Sequence, residues 1–164
     1  MLYRTIAPAL LLMLAGTSIG AARSAHVKSP PWISIESPAN PYDPATRDAA
    51  FLVRTWLHGN TTSLDDLTAS AEGLVDGKRQ SVALRIEPTS QPNLYAVRRQ
   101  WPAAGAWVVR VTLLRTATAI VSLDRAGAVS GVNVPTRMQS GLPLARAVEA
   151  REIDSTLATV AARR

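Results

Sequence analysis

The chain has no cysteine and only two histidines, and each shortage excludes a class of chemistry. None of its 164 residues is Cys, so it forms no disulfide, no thiol nucleophile and no cysteine-held zinc or iron–sulfur site. Two histidines, His26 and His58, are too few for a centre built from several imidazoles of one chain. Eighteen basic residues, nearly all of them arginine, against twelve acidic ones give a formal net charge of +6. The hydrophobic fraction of 47% is that of a globular protein and excludes a disordered chain.

The first residues have the order of a secretory signal peptide. Met1–Arg4 carries positive charge, residues 6–22 carry none, and the run ends in small residues up to Ala22. As a helix rising about 1.5 Å per residue, the uncharged run spans about 26 Å, less than the ~30 Å hydrocarbon core of a membrane. We therefore expect a signal helix over 1–22, cleavage after Ala22, and an exported protein, periplasmic or secreted. The alternatives are cleavage after Ala25 and an uncleaved membrane anchor.

The middle of the chain alternates apolar and polar residues with the period of a β-strand. Turn residues interrupt this pattern about every ten residues, and Asp76-Gly77 is typical of a tight hairpin turn, because Gly relieves the positive φ that the turn requires. The predicted strands are 32–35, 49–57, 67–75, 79–87, 94–101, 106–115, 116–124 and 128–134. This spacing predicts an all-β fold, an Ig-like antiparallel β-sandwich of seven or eight strands.

The apolar positions of these strands predict the core, and the pattern changes to a helical one near the C-terminus. The predicted core is Phe51, Val53, Leu84, Ile86, Val97, Trp107, Val109, Val111, Leu113 and Val121. From Leu144 to Arg163 the apolar residues recur at helical spacing, which predicts one C-terminal α-helix. The expected organisation is a signal peptide (1–22), a Pro-rich lead-in with a first short strand (23–47), the sandwich (48–135), and the C-terminal helix or tail (143–164).

Two segments carry a resemblance to a known group of proteins. The segments Leu94–Val97 and Trp101–Val111 resemble a pattern of bacterial exported Ig-like domains, in which a strand ends at a Pro-x-x-Gly corner and the next opens with aromatic and β-branched residues. The chain looks like the small periplasmic sandwiches grouped with copper chaperones and cytochrome-oxidase assembly proteins, and like uncharacterised exported Ig-like proteins. The resemblance covers roughly residues 48–134. In physical terms, Gly105 permits the backbone of the corner and Trp107 anchors the core beneath it.

The resemblance to copper-carrying sandwiches implies two candidate metal ligands. In those relatives an N-terminal His and a second His from the sandwich help to hold the metal, and the corresponding candidates here are His26 and His58. Cleavage after Ala25 would place His26 at the mature N-terminus, where two imidazoles and an amine suit Cu(II). Copper is thus the cofactor under this alternative, and no cofactor is expected otherwise.

Three arginines suggest an anionic partner. Arg85, Arg98 and Arg110 each lie opposite the most apolar face of their strand, and they would form one basic stripe if those strands were neighbours. Such a stripe favours lipid head groups, cell-wall polymers or an acidic protein face. The alternative is a solvated sheet face that is partly paired with acidic residues. Nucleic acid is not an expected partner, because an exported domain without interleaved exposed aromatics lacks the usual binding surface.

No sequence motif points to an enzyme. The chain contains neither Gly-x-Ser-x-Gly nor a Gly-rich phosphate-binding loop. The expected function is that of an exported, non-enzymatic Ig-like module that binds or helps to assemble an envelope component, with an envelope protein or an anionic surface as partner. A periplasmic copper-binding sandwich is the main alternative, and a hydrolase on the same scaffold is a third. Membrane contact is expected only through an uncleaved signal.

Overall fold

The computed structural model of the chain describes residues 30–57 and 61–163. The predicted signal helix over 1–22 lies outside these residues. The part of the chain that the structure describes forms eleven strands, a short 3-10 turn and one α-helix. The strands are β1 (Trp32–Glu36), β2 (Phe51–Trp56), β3 (Leu67–Val75), β4 (Lys78–Leu84), β5 (Ile86–Pro88), β6 (Leu94–Val97), β7 (Ala106–Leu113), β8 (Ala117–Leu123), β9 (Val129–Asn133), β10 (Thr136–Gln139) and β11 (Leu142–Ala145). The turn is Leu64–Asp66 and the helix is α1 (Ala150–Ala162).

The strands form two antiparallel sheets and a separate hairpin. The front sheet has the strand order β1-β2-β6-β5, and the back sheet has the order β4-β3-β7-β8-β9. The hairpin consists of β10 and β11, which pair with each other. The predicted antiparallel β-sandwich with a C-terminal helix is therefore confirmed.

One hydrophobic core lies between the two sheets. Along β7 the side chains of Trp107, Val109 and Val111 point into this core, whereas Ala106 and Val108 point to the other face of the back sheet. All ten predicted core residues are buried in this cluster, so that prediction is confirmed. The period of two located them because alternate side chains of a strand face opposite sides of its sheet.

The outer face of the back sheet is covered in part by α1, which makes a second, smaller core. The buried members of this cluster are Ala106, Val108, Ile120, Ile153, Leu157 and Val160. Their spacing on the helix, at i, i+4 and i+7, places the last three on one face. Strands β7 and β8 therefore carry buried residues on both faces, and six of the seven residues of β8 are buried.

The corner before β7 depends on close packing between a tryptophan and a glycine. The indole Nε1 of Trp107 donates a hydrogen bond to the carbonyl oxygen of Ala104 at 2.7 Å. A Cβ built on Gly73, which is opposite Trp107 on β3, would lie only 2.4 Å from the indole ring. Gly105 at the corner has a φ of +85°, where a side chain is strained. The expected anchor role of Trp107 is thus confirmed, and Gly73 makes room for it.

The predicted strand over 79–87 is two strands in different sheets. Strand β4 ends at Leu84 in the back sheet, and β5 begins at Ile86 in the front sheet, so the chain changes sheets at Arg85. Leu84 and Ile86 both face the core between the sheets. The alternation of core and outward side chains therefore continues through Arg85, and the change of sheet is not visible in the sequence pattern.

Two boundaries also differ from the prediction. Strand β1 matches the short strand predicted at 32–35 in the lead-in, but it pairs with β2, so the front sheet includes residues before the predicted start of the sandwich at 48. The predicted helix from Leu144 is wrong at its start, because β11 extends to Ala145 and α1 begins at Ala150. Leu144 lies in β11, and the four-residue spacing between Leu144 and Val148 happens to match one helical turn.

Candidate functional site

The two sheets end in four edge strands, which differ in how they are protected. An edge strand exposes unpaired backbone groups, and proteins usually blunt such edges with charge, proline or short length. Strand β4 carries Lys78 and Arg79, β5 has only three residues and includes Pro88, and β1 contains Glu36. Strand β9 carries neither charge nor proline, since its sequence is Val-Ser-Gly-Val-Asn, and its pairing with β8 shifts register between Ser122 and Leu123. It is the one edge strand of the two sheets, within the described residues, without a charged or proline side chain.

Strand β9 is also exposed along its length. Four of its five residues are exposed and the first is half-buried, and 47% of Val132 is accessible. Within the described residues β9 pairs with β8 on one side and with no strand on the other. A second strand could therefore add to the back sheet at this edge by backbone hydrogen bonds.

Directly after β9, the hairpin of β10 and β11 forms what we call the arm, residues 136–145. Its four residue pairs run from Thr136–Ala145 to Gln139–Leu142. The turn at its tip is Ser140-Gly141, with φ angles of +50° and +78°, the signs that a type I′ turn requires. At the base, the backbone N–H of Arg146 donates to the carbonyl oxygen of Pro135 at 2.9 Å.

The base of the arm packs against the sandwich, and its tip does not. Val134 and Ala145 are partly buried against the core between the sheets. Farther out, 68% of Met138 and 59% of Leu142 are exposed. An isolated two-stranded hairpin is marginally stable in water and usually needs a further strand or helix to pack against. The tip of the arm thus presents apolar side chains that nothing in the described part of the chain covers.

An ion pair holds the base of the arm to the start of α1. The Arg146 guanidinium donates from Nη1 to Glu152 Oε2 at 2.7 Å and from Nη2 to Glu152 Oε1 at 2.6 Å. The Glu149 backbone N–H also donates to Glu152 Oε2, at 2.9 Å. These bonds to the charged form, that of Arg146 first, lower the pKa of Glu152 from 4.5 to about 2. The arm and the helix are thereby joined by a bidentate pair.

A second polar cluster fastens α1 to the back sheet. The largely buried carboxylate of Glu72 accepts hydrogen bonds from the hydroxyls of Ser70 and Ser81, each at 3.0 Å. Arg79 lies 3.4 Å from Glu72 Oε2 and pairs at its other end with Asp154 on the helix. The cluster therefore connects β3, β4 and α1 across the outer face of the sheet.

A cavity of about 410 Å³ lies between the C-terminal end of α1 and the β8–β9 turn. Its apolar lining comes from Leu123, Ala126 and Val160, while its polar groups come from Asp124, Arg125, Ser130 and Arg163. The two guanidinium groups, of Arg125 and Arg163, are exposed and make no ion pair within residues 30–57 and 61–163. This end of the molecule is distinct from the arm.

The structure separates one arginine of the predicted basic stripe from the other two. Arg98 follows β6 in the front sheet, where Nε donates to Glu87 at 3.0 Å. Arg110 lies at the middle of β7 in the back sheet, and Arg85 lies where the chain changes sheets. Arg85 and Arg98 flank the Ile86–Val97 pair of the neighbouring strands β5 and β6, but Arg110 lies in the other sheet, so the three arginines do not form one stripe. Arg125 and Arg163, which do line one site and have no ion-pair partner in the described part of the chain, were not among those predicted.

The candidate copper ligands cannot be placed in this arrangement. His26 and His58 both lie outside the described residues, so the copper site stays a prediction. Within the described ranges, no group of three or more His, Cys, Asp or Glu side chains is arranged to hold a metal ion. The same residues include no helix that is long and apolar enough to cross a membrane.

The sequence contains a turn signal for the arm, but the helical spacing of the apolar residues from Leu144 onward favours a helix instead. Ser140-Gly141 is a turn dipeptide, and the residues on each side of it form short strands. The cavity had no such signal, because its lining comes from the β8–β9 region and from the far end of α1.

Comparison with known proteins gives no match to a family model, to a curated protein or to a solved structure.

Proposed function

We propose that this chain is an exported, non-enzymatic Ig-like binding module that attaches to an envelope protein through β9 and the arm. The observation that carries the proposal is the exposed apolar tip of the arm, which follows an exposed edge strand that has neither charge nor proline. A partner strand on β9 would satisfy the unpaired backbone groups of this edge. The partner would also cover Met138 and Leu142, and so remove their apolar surface from water.

The arrangement of the chain supports one continuous surface. Only Val134 and Pro135 separate β9 from β10, so the edge and the arm follow one another directly. The bidentate pair between Arg146 and Glu152 fixes the base of the arm to α1, while Met138 and Leu142 stay outside the core. A partner would thus meet a hairpin that is anchored at one end and free at the other.

Site-specific photocrosslinking in the native host tests this proposal. A benzophenone amino acid replaces Leu142 in the full chain, and a matched variant carries it at Arg110, which is exposed on the outer face of the back sheet. We expect a discrete adduct with one envelope protein from position 142 and none from position 110. No adduct from position 142, or the same adducts from both positions, contradicts the proposal. An adduct between two copies of this chain would contradict an envelope protein as the partner and would indicate self-association instead.

A further inference from the structure

We infer that the cavity between α1 and the β8–β9 turn binds an organic anion with an apolar body, of the class of medium-chain carboxylates. The volume of about 410 Å³ lies within the range of about 300–1,000 Å³ that is usual for small-molecule sites. Such sites combine a mostly apolar lining with a few polar groups that orient the ligand. This inference does not depend on the arm or on its proposed partner.

The charges at the cavity favour an anionic group. Arg125 and Arg163 supply two positive charges, and a guanidinium can hold a carboxylate through two parallel hydrogen bonds. Asp124 supplies one negative charge, and the C-terminus of α1 contributes about half a negative charge. Among the described residues that line the cavity, the balance stays positive. Part of the Asp124 carboxylate is also engaged by the turn, since Oδ1 accepts a hydrogen bond from the backbone N–H of Ala128 at 2.9 Å.

The apolar lining selects what the anion is attached to. Leu123 and Val160, which line the cavity beside the exposed Ala126, are buried members of the two cores with only 1% and 6% of their surface accessible. An inorganic anion would leave most of the cavity's volume to water, whereas an alkyl chain would fill it and lie against these side chains. The Ser130 hydroxyl adds a hydrogen-bonding group. A carboxylate with a chain of several methylene groups matches both parts of the site.

Isothermal titration calorimetry of the full chain with hexanoate, octanoate and decanoate tests the inference. Because burying a methylene contributes about 0.8 kcal/mol, each added one should strengthen binding by about two- to fourfold while the chain stays within the cavity. Octanol tests the need for the charge, and inorganic phosphate tests the need for the apolar body. Octanol binding as tightly as octanoate, or phosphate doing so, would overturn the inference, as would no detectable binding of decanoate.

Variants locate the site. Arg125→Gln and Arg163→Gln should each weaken octanoate binding about tenfold, and both together should abolish it. Arg110→Gln, which removes an exposed arginine elsewhere on the back sheet, is the matched control and should bind as the parent chain does. Circular dichroism melting checks that the variants fold, which is expected because both arginines are exposed. Unchanged affinity in the double variant, or an equal loss in Arg110→Gln, would contradict this assignment.

Discussion

Two hairpins of this chain share the same kind of turn and have different surroundings. The β3–β4 hairpin turns at Asp76-Gly77, with φ angles of +50° and +75°, and the arm turns at Ser140-Gly141, with +50° and +78°. The first hairpin lies in a five-stranded sheet and packs against the core and α1. The second contacts the sandwich at its base and exposes its tip. The comparison teaches that local turn chemistry makes a hairpin, whereas packing decides whether the hairpin stabilises the fold or remains available to a partner.

The largest expected effect concerns the indole ring of Trp107, which packs against Gly73 of β3. Trp107→Ala should lower the free energy of unfolding by about 3–5 kcal/mol, because it empties a fully buried site. Gly73→Ala should cost about 1–3 kcal/mol alone, because the new methyl group meets the indole ring. In the Trp107→Ala background the same methyl group should cost little. Urea denaturation of the two single variants and the double variant measures this coupling, and strictly additive effects would contradict the contact.

The next effect concerns the polar cluster that holds β3, β4 and α1 together. Glu72→Ala should cost about 1–3 kcal/mol, because it leaves the two serine hydroxyls and Arg79 without their acceptor. Asp154→Ala is the matched control and should cost less than about 1 kcal/mol, because its side chain is mostly exposed. Urea denaturation measures both. Equal losses would contradict this expectation, because they would show that the largely buried Glu72 carboxylate stabilises the fold no more than the exposed Asp154 does.

A pair of glycine substitutions compares the two hairpins directly. Gly77 and Gly141 both have positive φ and nothing within 4 Å of an added Cβ, so alanine strains each backbone by a similar ~1 kcal/mol. Gly77→Ala should lower the free energy of global unfolding by this full amount, because the β3–β4 hairpin unfolds together with the sandwich. Gly141→Ala should change the global free energy much less, because the arm can open locally. Urea denaturation with equal losses at both positions would show that the arm is as firmly packed as β3–β4.

The joint between the arm and α1 should make stability depend on pH. The pKa of Glu152 is lowered from 4.5 to about 2, mainly by its hydrogen bonds with Arg146. The carboxylate form is the one that the fold stabilises, so this contribution is complete above pH 4.5 and is lost as the pH falls through about 2. The melting temperature of the parent chain should therefore exceed that of Glu152→Gln at neutral pH. This difference should disappear as the pH falls toward 2, and a constant difference would contradict the pair's role.

The sandwich was predictable from the sequence because its information is local. Alternation along β7 identified Trp107, Val109 and Val111 as core residues, and Asp76-Gly77 identified a hairpin. What alternation does not contain is the sheet to which a strand belongs. For this reason the change of sheet at Arg85 was missed, as was the separation of Arg98 and Arg110.

The candidate sites were less predictable, because each depends on residues far apart in the chain. The cavity joins the β8–β9 turn to Val160 and Arg163 at the end of α1, and the sequence contains no pattern for that meeting. The arm was hidden for a different reason. Leu144 and Val148 are four residues apart, which fits a helix, and this spacing outweighed the turn signal at Ser140-Gly141.

The smallest expected effect on stability belongs to the tip of the arm. The double variant Met138→Ser, Leu142→Ser should change the free energy of unfolding by no more than about 0.5 kcal/mol, because both side chains are exposed. Thermal and urea denaturation check this expectation. A loss of several kcal/mol would show that the tip belongs to the packed fold, like β3–β4.

The most direct test of the central claim is the yield of the photo-adduct formed from Val132 on the β9 edge, with and without that double substitution. If β9 and the arm form one binding surface, the parent chain gives an adduct from position 132, and the double variant loses it at an unchanged melting temperature. An adduct of equal yield in both chains would contradict the account, because it would show that the exposed side chains of the arm take no part in binding.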